Sequence, residues 1–467
     1  MPIIKKLINQ TAIYGISSVF GRLINVLLVP LYTYLFTQEE YGIVAEFYAY
    51  VAFVMIVATY GMETAFFRFS ETYDKKKVHS TSLFSLLITS TLFLIGFWVF
   101  SERISSLIGY PNYTVYIKWI ALIVFFDTLT VIPFARLREQ QKAIPFAVIK
   151  TLNILTNISL NLIFIVWLNK IDIKYIFLSN LIASGVTLAL LSFDYKNTFK
   201  HMDFDIWKRM IGFSFPLIFA GLAGMINETI DTIMLKHLLP KDIAIAHVGI
   251  YRACYKIPIF LMLFIQAFRL GAEPLFFKQA IQKNAKKTYA NIMHFFVITS
   301  LFLVIAIIFY IDFVKYFIGE DFREGLHVVP ILLFANLMFG LYYTHSIWYK
   351  ITNNTQIGAF ISITGALITI VLNYFLIPKI GYTGSAWATL TCYSSMLFIS
   401  YLWSRKHYLI PYNFISLTFY FTITLLLFFI NKHFTNDNML YNTLLMVIFA
   451  TIILLKEKNF FKKLNES

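Results

Sequence analysis

Arg22 lies near the middle of an apolar stretch, Thr11 to Phe36, long enough to cross a bilayer, which takes ~20 mostly apolar residues. A guanidinium at the centre of a membrane helix costs at least ~2.5–3.5 kcal/mol on insertion scales, so it is expected to face protein or water. Tyr14, Ser18, Arg22 and Asn25 fall at i, i+4, i+8 and i+11 and share one helical stripe. The next apolar stretch, Tyr41 to Phe67, is expected to bury Glu46 and Glu63, and Arg68 follows it. Farther along, Glu228 and Asp231 share a helical face with Gly221 and Gly224; Arg252 and Lys256 are i, i+4 neighbours, with Gln266 and Arg269 beyond. Lys118, Asp127 and Lys150 add further charges. Ionisable groups inside membrane spans mark substrate and ion pathways, so the pattern points to a polar cavity within a membrane bundle.

The helices that must position these residues dominate the composition. Of 467 residues, 59% are hydrophobic and only 13% charged, against about 25% charged in ordinary soluble domains. The fold class is therefore all-α and polytopic. Apolar spans are expected at 11–36, 41–67, 79–100, 112–134, 143–168, 173–193, 211–235, 244–270, 289–311, 327–349, 357–377, 381–403, 412–430 and 440–455, fourteen transmembrane helices in all. A longer polar connection, Asp194 to Met210, separates the sixth from the seventh.

Lys and Arg outnumber Asp and Glu by 39 to 24, but the bases sit mostly in short loops between spans. That is the positive-inside pattern, which sets orientation rather than recruiting nucleic acid. Lys75-Lys76-Lys77, Arg136, Arg138 and the tail Lys456 to Lys463 fall on the basic side, and both termini are expected in the cytoplasm. Lys118 is expected to snorkel to an interface. Lys5-Lys6 leads into a full-length span, so no cleavable signal peptide is expected. Cys254 and Cys392 fall within spans and make no disulfide framework or metal motif. His247, His294 and His345 have no second ligand at metal spacing.

An internal repeat organises the chain. Phe36-Thr37-Gln38-Glu39-Glu40-Tyr41-Gly42 in the first half has its counterpart around Val248-Gly249-Ile250-Tyr251, while Leu160-Asn161 falls opposite Leu372-Asn373 and Ala147 opposite Ala359. The expected organisation is two six-helix lobes related by a pseudo-two-fold, over 1–200 and 201–408, plus an extra helix pair and basic tail over 409–467. Repeats of this kind are common in secondary transporters, with the site at the repeat interface near the midplane.

Gly21-Arg22-Leu23, Val29-Pro30-Leu31, Glu39-Glu40-Tyr41-Gly42 and Gly61-Met62-Glu63-Thr64-Ala65 resemble the opening of polysaccharide-exporter flippases, of the multidrug/oligosaccharidyl-lipid/polysaccharide exporter superfamily. Leu372-Asn373-Tyr374 and Gly381-Tyr382-Thr383-Gly384-Ser385-Ala386-Trp387 are similar to that family's second-half signature. The resemblance covers essentially the whole chain. It implies a V-shaped two-lobed bundle that moves undecaprenyl-diphosphate-linked glycans across the bacterial inner membrane. Polysaccharide polymerase, glycosyltransferases and membrane lipids would be its partners, and no cofactor is expected.

An anionic diphosphate suits Arg, whose fork donates paired charge-assisted hydrogen bonds. Arg22, Arg252 and Lys256 are the leading candidates for that contact, with Arg269 and Lys150 secondary and Asn25, Glu46 and Glu63 lining the same cavity. Arg22 has a second reading, a structural ion pair with Glu46 or Glu63. Glu228 and Asp231 either bind a coupling proton or Na⁺ or neutralise Arg252 or Lys256. An exporter of organic cations from the same superfamily would prefer an acidic, aromatic cavity. A membrane glycan polymerase or ligase would carry a large extracytoplasmic loop, and the longest outer connection here is Asp312 to Leu326.

Overall fold

The computed structural model describes residues 21, 23–24, 26–196, 201–280, 282–352, 354–434 and 438–458, with backbone alone at Leu270, Pro274, Phe277, Lys278 and Phe434. Arg22 and Asn25 lie outside the described residues. Among those described, eleven helices are long and apolar enough to cross a membrane, or twelve if one bent pair counts as a single span. The chain is thus an all-helical polytopic membrane protein. It divides into two compact units, Met1–Lys236 and His237–Ser467.

In the first unit, the acidic turn of the sequence is a helix start. Thr37 caps α1 (Gln38–Thr59): its Oγ1 accepts from the Glu40 N–H at 3.2 Å, and the Glu40 carboxylate accepts from the Thr37 N–H at 2.9 Å. This capping box satisfies backbone donors that would otherwise be orphaned. The single span expected over 41–67 runs as one, Gln38–Ser70, with its helix interrupted at Tyr60 and Gly61, whose φ values of 34° and 69° end α1 and start α2 (Met62–Ser70). A Cβ on Gly61 would also come within 3.0 Å of the Leu217 side chain. The break leaves Glu63 less covered than expected: its side chain is 38% exposed.

Helices α3 (Lys75–Val99), α4 (Thr114–Glu139), α5 (Ala143–Asn161) and α6 (Lys174–Leu191) follow close to the expected bounds. The seventh span, α7 (Phe204–Leu238), starts inside the expected polar connection. Asp203 starts it by accepting the Ile206 N–H at 3.1 Å. That bond, aided by Lys77, holds the Asp203 carboxyl below the usual carboxylate range. The extra turns are secured by packing: Ile206 and Met210 join a core with Met62, Phe66, Leu83 and Ile132, and the Trp207 indole N–H donates to Ser85 at 2.7 Å.

In the second unit, α8 (Lys241–Cys254) and α9 (Ile259–Gln279) form the bent pair, turning by 50°. After them come α10 (Ala285–Phe309), α11 (Val329–His345), α12 (Thr355–Ile380), α13 (Tyr382–His407), α14 (Phe414–Phe434) and α15 (Met439–Lys456). Gly381, at φ 60° and ψ −143°, both ends α12 and caps α13. A Cβ on Gly384 would meet the Leu376 backbone at 2.7 Å, so the glycines of the second-half signature serve a tight helical hairpin.

The two asparagines aligned in the sequence are held in a similar way. Asn161 and Asn373 are both fully buried, and each donates its amide to the carbonyl four residues earlier, Asn157 at 2.8 Å and Thr369 at 2.9 Å.

Replacing Gly61 by Ala forces a Cβ into the left-handed region, at about 1–2 kcal/mol, as well as against Leu217. The melting temperature of detergent-solubilised Gly61→Ala is expected to fall by several degrees; an unchanged midpoint would show that the break is soft.

Candidate functional site

Charges inside an apolar bundle persist only when paired and hydrogen-bonded, and the first unit meets this requirement in two places. Glu46, two turns into α1, has a side chain that is 0% exposed. Lys236, at the far end of α7 and 11% exposed, donates to it at 2.9 Å. The Tyr50 hydroxyl donates to the same carboxylate at 2.7 Å, and the Tyr110 hydroxyl donates to its other oxygen. The lysine also donates to the Ile108 carbonyl and stands 3.5 Å above the Tyr110 ring. Burial, followed by the neighbouring carboxylate, pushes the Tyr110 phenol far above its usual range, so it remains a donor.

The second place gathers the opposite ends of these helices. Glu63 pairs with Arg138, whose guanidinium lies 5.1 Å from the Phe67 ring and 5.9 Å from that of Phe146. Asp194 is held by His79 at 2.7 Å and by Arg136. Lys77 reaches Asp203 at 3.2 Å, and Arg68 lies over Phe213 at 4.2 Å.

Glu46 and Glu63, considered as partners of Arg22, thus have bases from other helices, Lys236 and Arg138. Lys150 extends over the Phe134 ring at 4.3 Å, and Lys118 lies 5.5 Å from the Trp98 ring. On α7, Glu228 is exposed whereas Asp231 is 3% exposed, accepting from the Thr232 N–H at 2.7 Å and its hydroxyl at 3.3 Å. Three residues apart, the two acids meet different surroundings. Gly221 packs on Ile56, which a Cβ would approach to 3.0 Å.

In the second unit, Arg252 lies near the end of α8, its guanidinium 5.1 Å from the Tyr255 ring; Lys256 sits in the bend beyond. Arg269 is part of a separate constellation. Its Nε is 3.7 Å from one oxygen of Glu273, and Lys350 donates to the other oxygen at 2.8 Å. Both cations face the Tyr343 ring, at 3.9 and 4.8 Å. The group lines a cavity with Ile265, Phe268, Phe276 and Thr344. Lys236, Lys350, Glu273, Tyr110 and Tyr343 were not among the residues that the sequence pattern singled out. The i, i+4 spacing of Arg269 and Glu273 was the one local signal available. Among the described residues, no cluster of three or more His, Cys, Asp or Glu could hold a metal ion.

Long helices in two compact units, with charges paired inside them, define a polytopic membrane fold. The solved structures agree. The chain is similar to a lipid II flippase, MurJ, in its inward closed conformation, at TM-score 0.76 and 18% identity, over 96% of this chain and 99% of that one. It is also similar to multidrug resistance MATE family transporters of the MOP superfamily: an inward-facing one at TM-score 0.69 and 13% identity, over 88% and 96% of the two chains, and an outward-facing one at 0.60 and 15%, over 86% and 94%. Residues 7–278 match the model of the polysaccharide biosynthesis protein family, and the chain belongs to that family. No curated protein matches. The family is one of transporters, not enzymes, which removes the polymerase or ligase reading.

Breaking a buried pair by removing one partner costs about 3–5 kcal/mol, because the other charge is left uncompensated. Lys236→Met is therefore expected to lower the melting temperature of the purified protein sharply. Adding Glu46→Gln to it should restore much of the loss. Additive losses in that double-mutant cycle would show that the two side chains are not coupled.

Proposed function

We propose that the protein is a flippase that carries undecaprenyl-diphosphate-linked oligosaccharide repeat units across the bacterial inner membrane, by alternating access, for surface polysaccharide synthesis. The observation that carries this reading is membership of the polysaccharide biosynthesis family over residues 7–278. The likeness over nearly the whole chain to a flippase of lipid II supports it. The fold alone is shared with multidrug transporters, so the family match, together with the mixture of Arg and Lys among the intramembrane acids, is what favours an anionic lipid-linked cargo over organic cations.

In this reading the chain has fourteen spans. To the eleven long helices are added the bent pair α8–α9, the first apolar stretch with Arg22, and α13, whose many hydroxyl and small residues dilute its hydropathy. The two six-helix lobes cover 1–200 and 201–408, the final pair 409–467, and both termini face the cytoplasm. Arg22, Arg252 and Lys256 meet the diphosphate, with Asn25, Lys150 and Arg269 beside its path. Membrane lipids surround the protein, and a polysaccharide polymerase and glycosyltransferases are its functional neighbours.

Loss of the protein is expected to deplete surface polysaccharide while the lipid-linked repeat unit accumulates on the cytoplasmic leaflet. Normal surface polysaccharide in a clean deletion would refute the reading. Arg22→Ala and Arg252→Ala should each abolish export, with Lys restoring it only partly because the bidentate fork is lost.

Glu228 and Asp231 are the candidates for coupling to H⁺ or Na⁺. A cation bound there and exchanged for substrate would bias one lobe arrangement over the other. In proteoliposomes, flipping should accelerate under an imposed pH or Na⁺ gradient, and Glu228→Gln or Asp231→Asn should erase the acceleration. Stimulation that survives both substitutions would exclude these acids.

A further inference from the structure

We propose that the groove between α10 and α15 holds an acyl chain of an aminophospholipid, phosphatidylethanolamine in kind, with its ammonium on Glu457. Such a lipid joins the last helix to the body of the second unit, whatever cargo the protein carries.

The groove has the size and lining of a chain site. Phe295, Ile298 and Phe302 of α10 face Ala450, Ile453 and Leu454 of α15 around a space of about 290 Å³. A water takes ~30 Å³ in the liquid, and small-molecule sites begin at ~300 Å³, so the space suits a segment of hydrocarbon chain. The hydroxyl on its α10 wall is already engaged: Thr299 donates to the Phe295 carbonyl at 3.0 Å. Ordered water needs polar partners, which these walls do not supply. On α15, Leu444, Val447 and Leu455 are exposed around Leu454, so the groove opens on a face bordered by lipid.

Depth agrees with a chain from one leaflet. From Glu457 back to Ala450 the lining extends about 10 Å along α15, within the ~15 Å of hydrocarbon that a single leaflet supplies. The charge rule assigns the end of α15 to the cytoplasm, so the chain enters from the cytoplasmic leaflet. Phe302, the deepest lining residue on α10, is stacked on the buried Phe449 at 6.3 Å.

Charge selects the head. Glu457 is the charged residue of the lining, its side chain 11% exposed. The Tyr420 hydroxyl donates to its Oε1 at 2.7 Å, and His294 Nε2 lies 3.0 Å from the same oxygen. Among the described residues, Oε2 accepts no hydrogen bond. A half-used carboxylate at the edge of an apolar groove is stabilised by a charged donor. An ammonium brings three N–H groups; a choline head has none, and an anionic head sets like charge against the acid. Lys456 and Lys458, exposed on either side of Glu457 in the chain, suit the phosphate of the same zwitterion. The Lys456 ammonium stands 3.3 Å from the Phe419 ring, which holds it at this end of the helix.

The test is lipid binding to the full-length protein in detergent, read by native mass spectrometry. The probes are phosphatidylethanolamine, phosphatidylcholine and phosphatidylglycerol with identical chains. Phosphatidylethanolamine should bind about tenfold more tightly than phosphatidylcholine, the worth of one charge-assisted hydrogen bond. Glu457→Gln should erase that preference, and Tyr420→Phe, which removes a bond to the other oxygen, should keep it. Loss in both variants would make Glu457 a brace rather than a ligand. Ala450→Phe fills the groove away from this network and should abolish retention of both lipids. Equal binding of the two by the wild type, or undiminished binding by Ala450→Phe, would overturn the site. A preference for phosphatidylglycerol would overturn the amine assignment, and displacement by undecaprenyl phosphate would assign the groove to a prenyl chain instead.

Discussion

The structure depends on one constraint: a charge that enters an apolar bundle must bring its compensation with it. In the first unit this is met by Glu46 and Lys236, sealed together and bonded to Tyr50, Tyr110 and the Ile108 carbonyl. Together these bonds fix the first turns of α1 and the last turns of α7 against the segment before α4. The desolvation cost of such a pair is large, and its contribution is specificity of packing more than net stability. Glu63–Arg138 ties α2 to α4, and Asp194 with His79 and Arg136 ties the segment after α6 to α3 and α4.

The second unit's cluster is more open than that pair. Arg269 and Lys350 share Glu273 and both face the Tyr343 ring, and their exposure of 46% and 23% brackets that of Glu63 and Arg138 in the first unit, 38% and 36%. Enclosure therefore sets the Glu46–Lys236 pair apart from these more open ion pairs in both units.

The helices were legible in the sequence because twenty-residue apolar runs leave little alternative, and most bounds fall within a few residues. Two features were not. The break at Tyr60–Gly61 is invisible to hydropathy, since the apolar pattern continues through it and only backbone conformation records the turn. The early start of α7 at Phe204 was hidden in polar sequence and arises from tertiary contacts of Ile206, Trp207 and Met210. Of the candidate site, Glu46 was legible as a buried acid. Its partner was not, because Lys236 sits near a span's end and carries no local mark distinguishing it from a topology charge. The same blindness hid Lys350. Asn161 and Asn373, matched in the sequence, share full burial and an amide bond to the carbonyl one turn back.

The Glu46–Lys236 pair also has a consequence for how the chain is made. Glu46 enters the membrane with α1, near the beginning of synthesis, whereas Lys236 is delivered only as α7 is completed. Between those events the acid is in the bilayer without its base, with Tyr50 from its own helix and later Tyr110 as its hydrogen-bond partners. The first unit therefore completes its charge pairing only at its last residue, and biogenesis of the lobe closes on an ion pair rather than on the insertion of a helix alone.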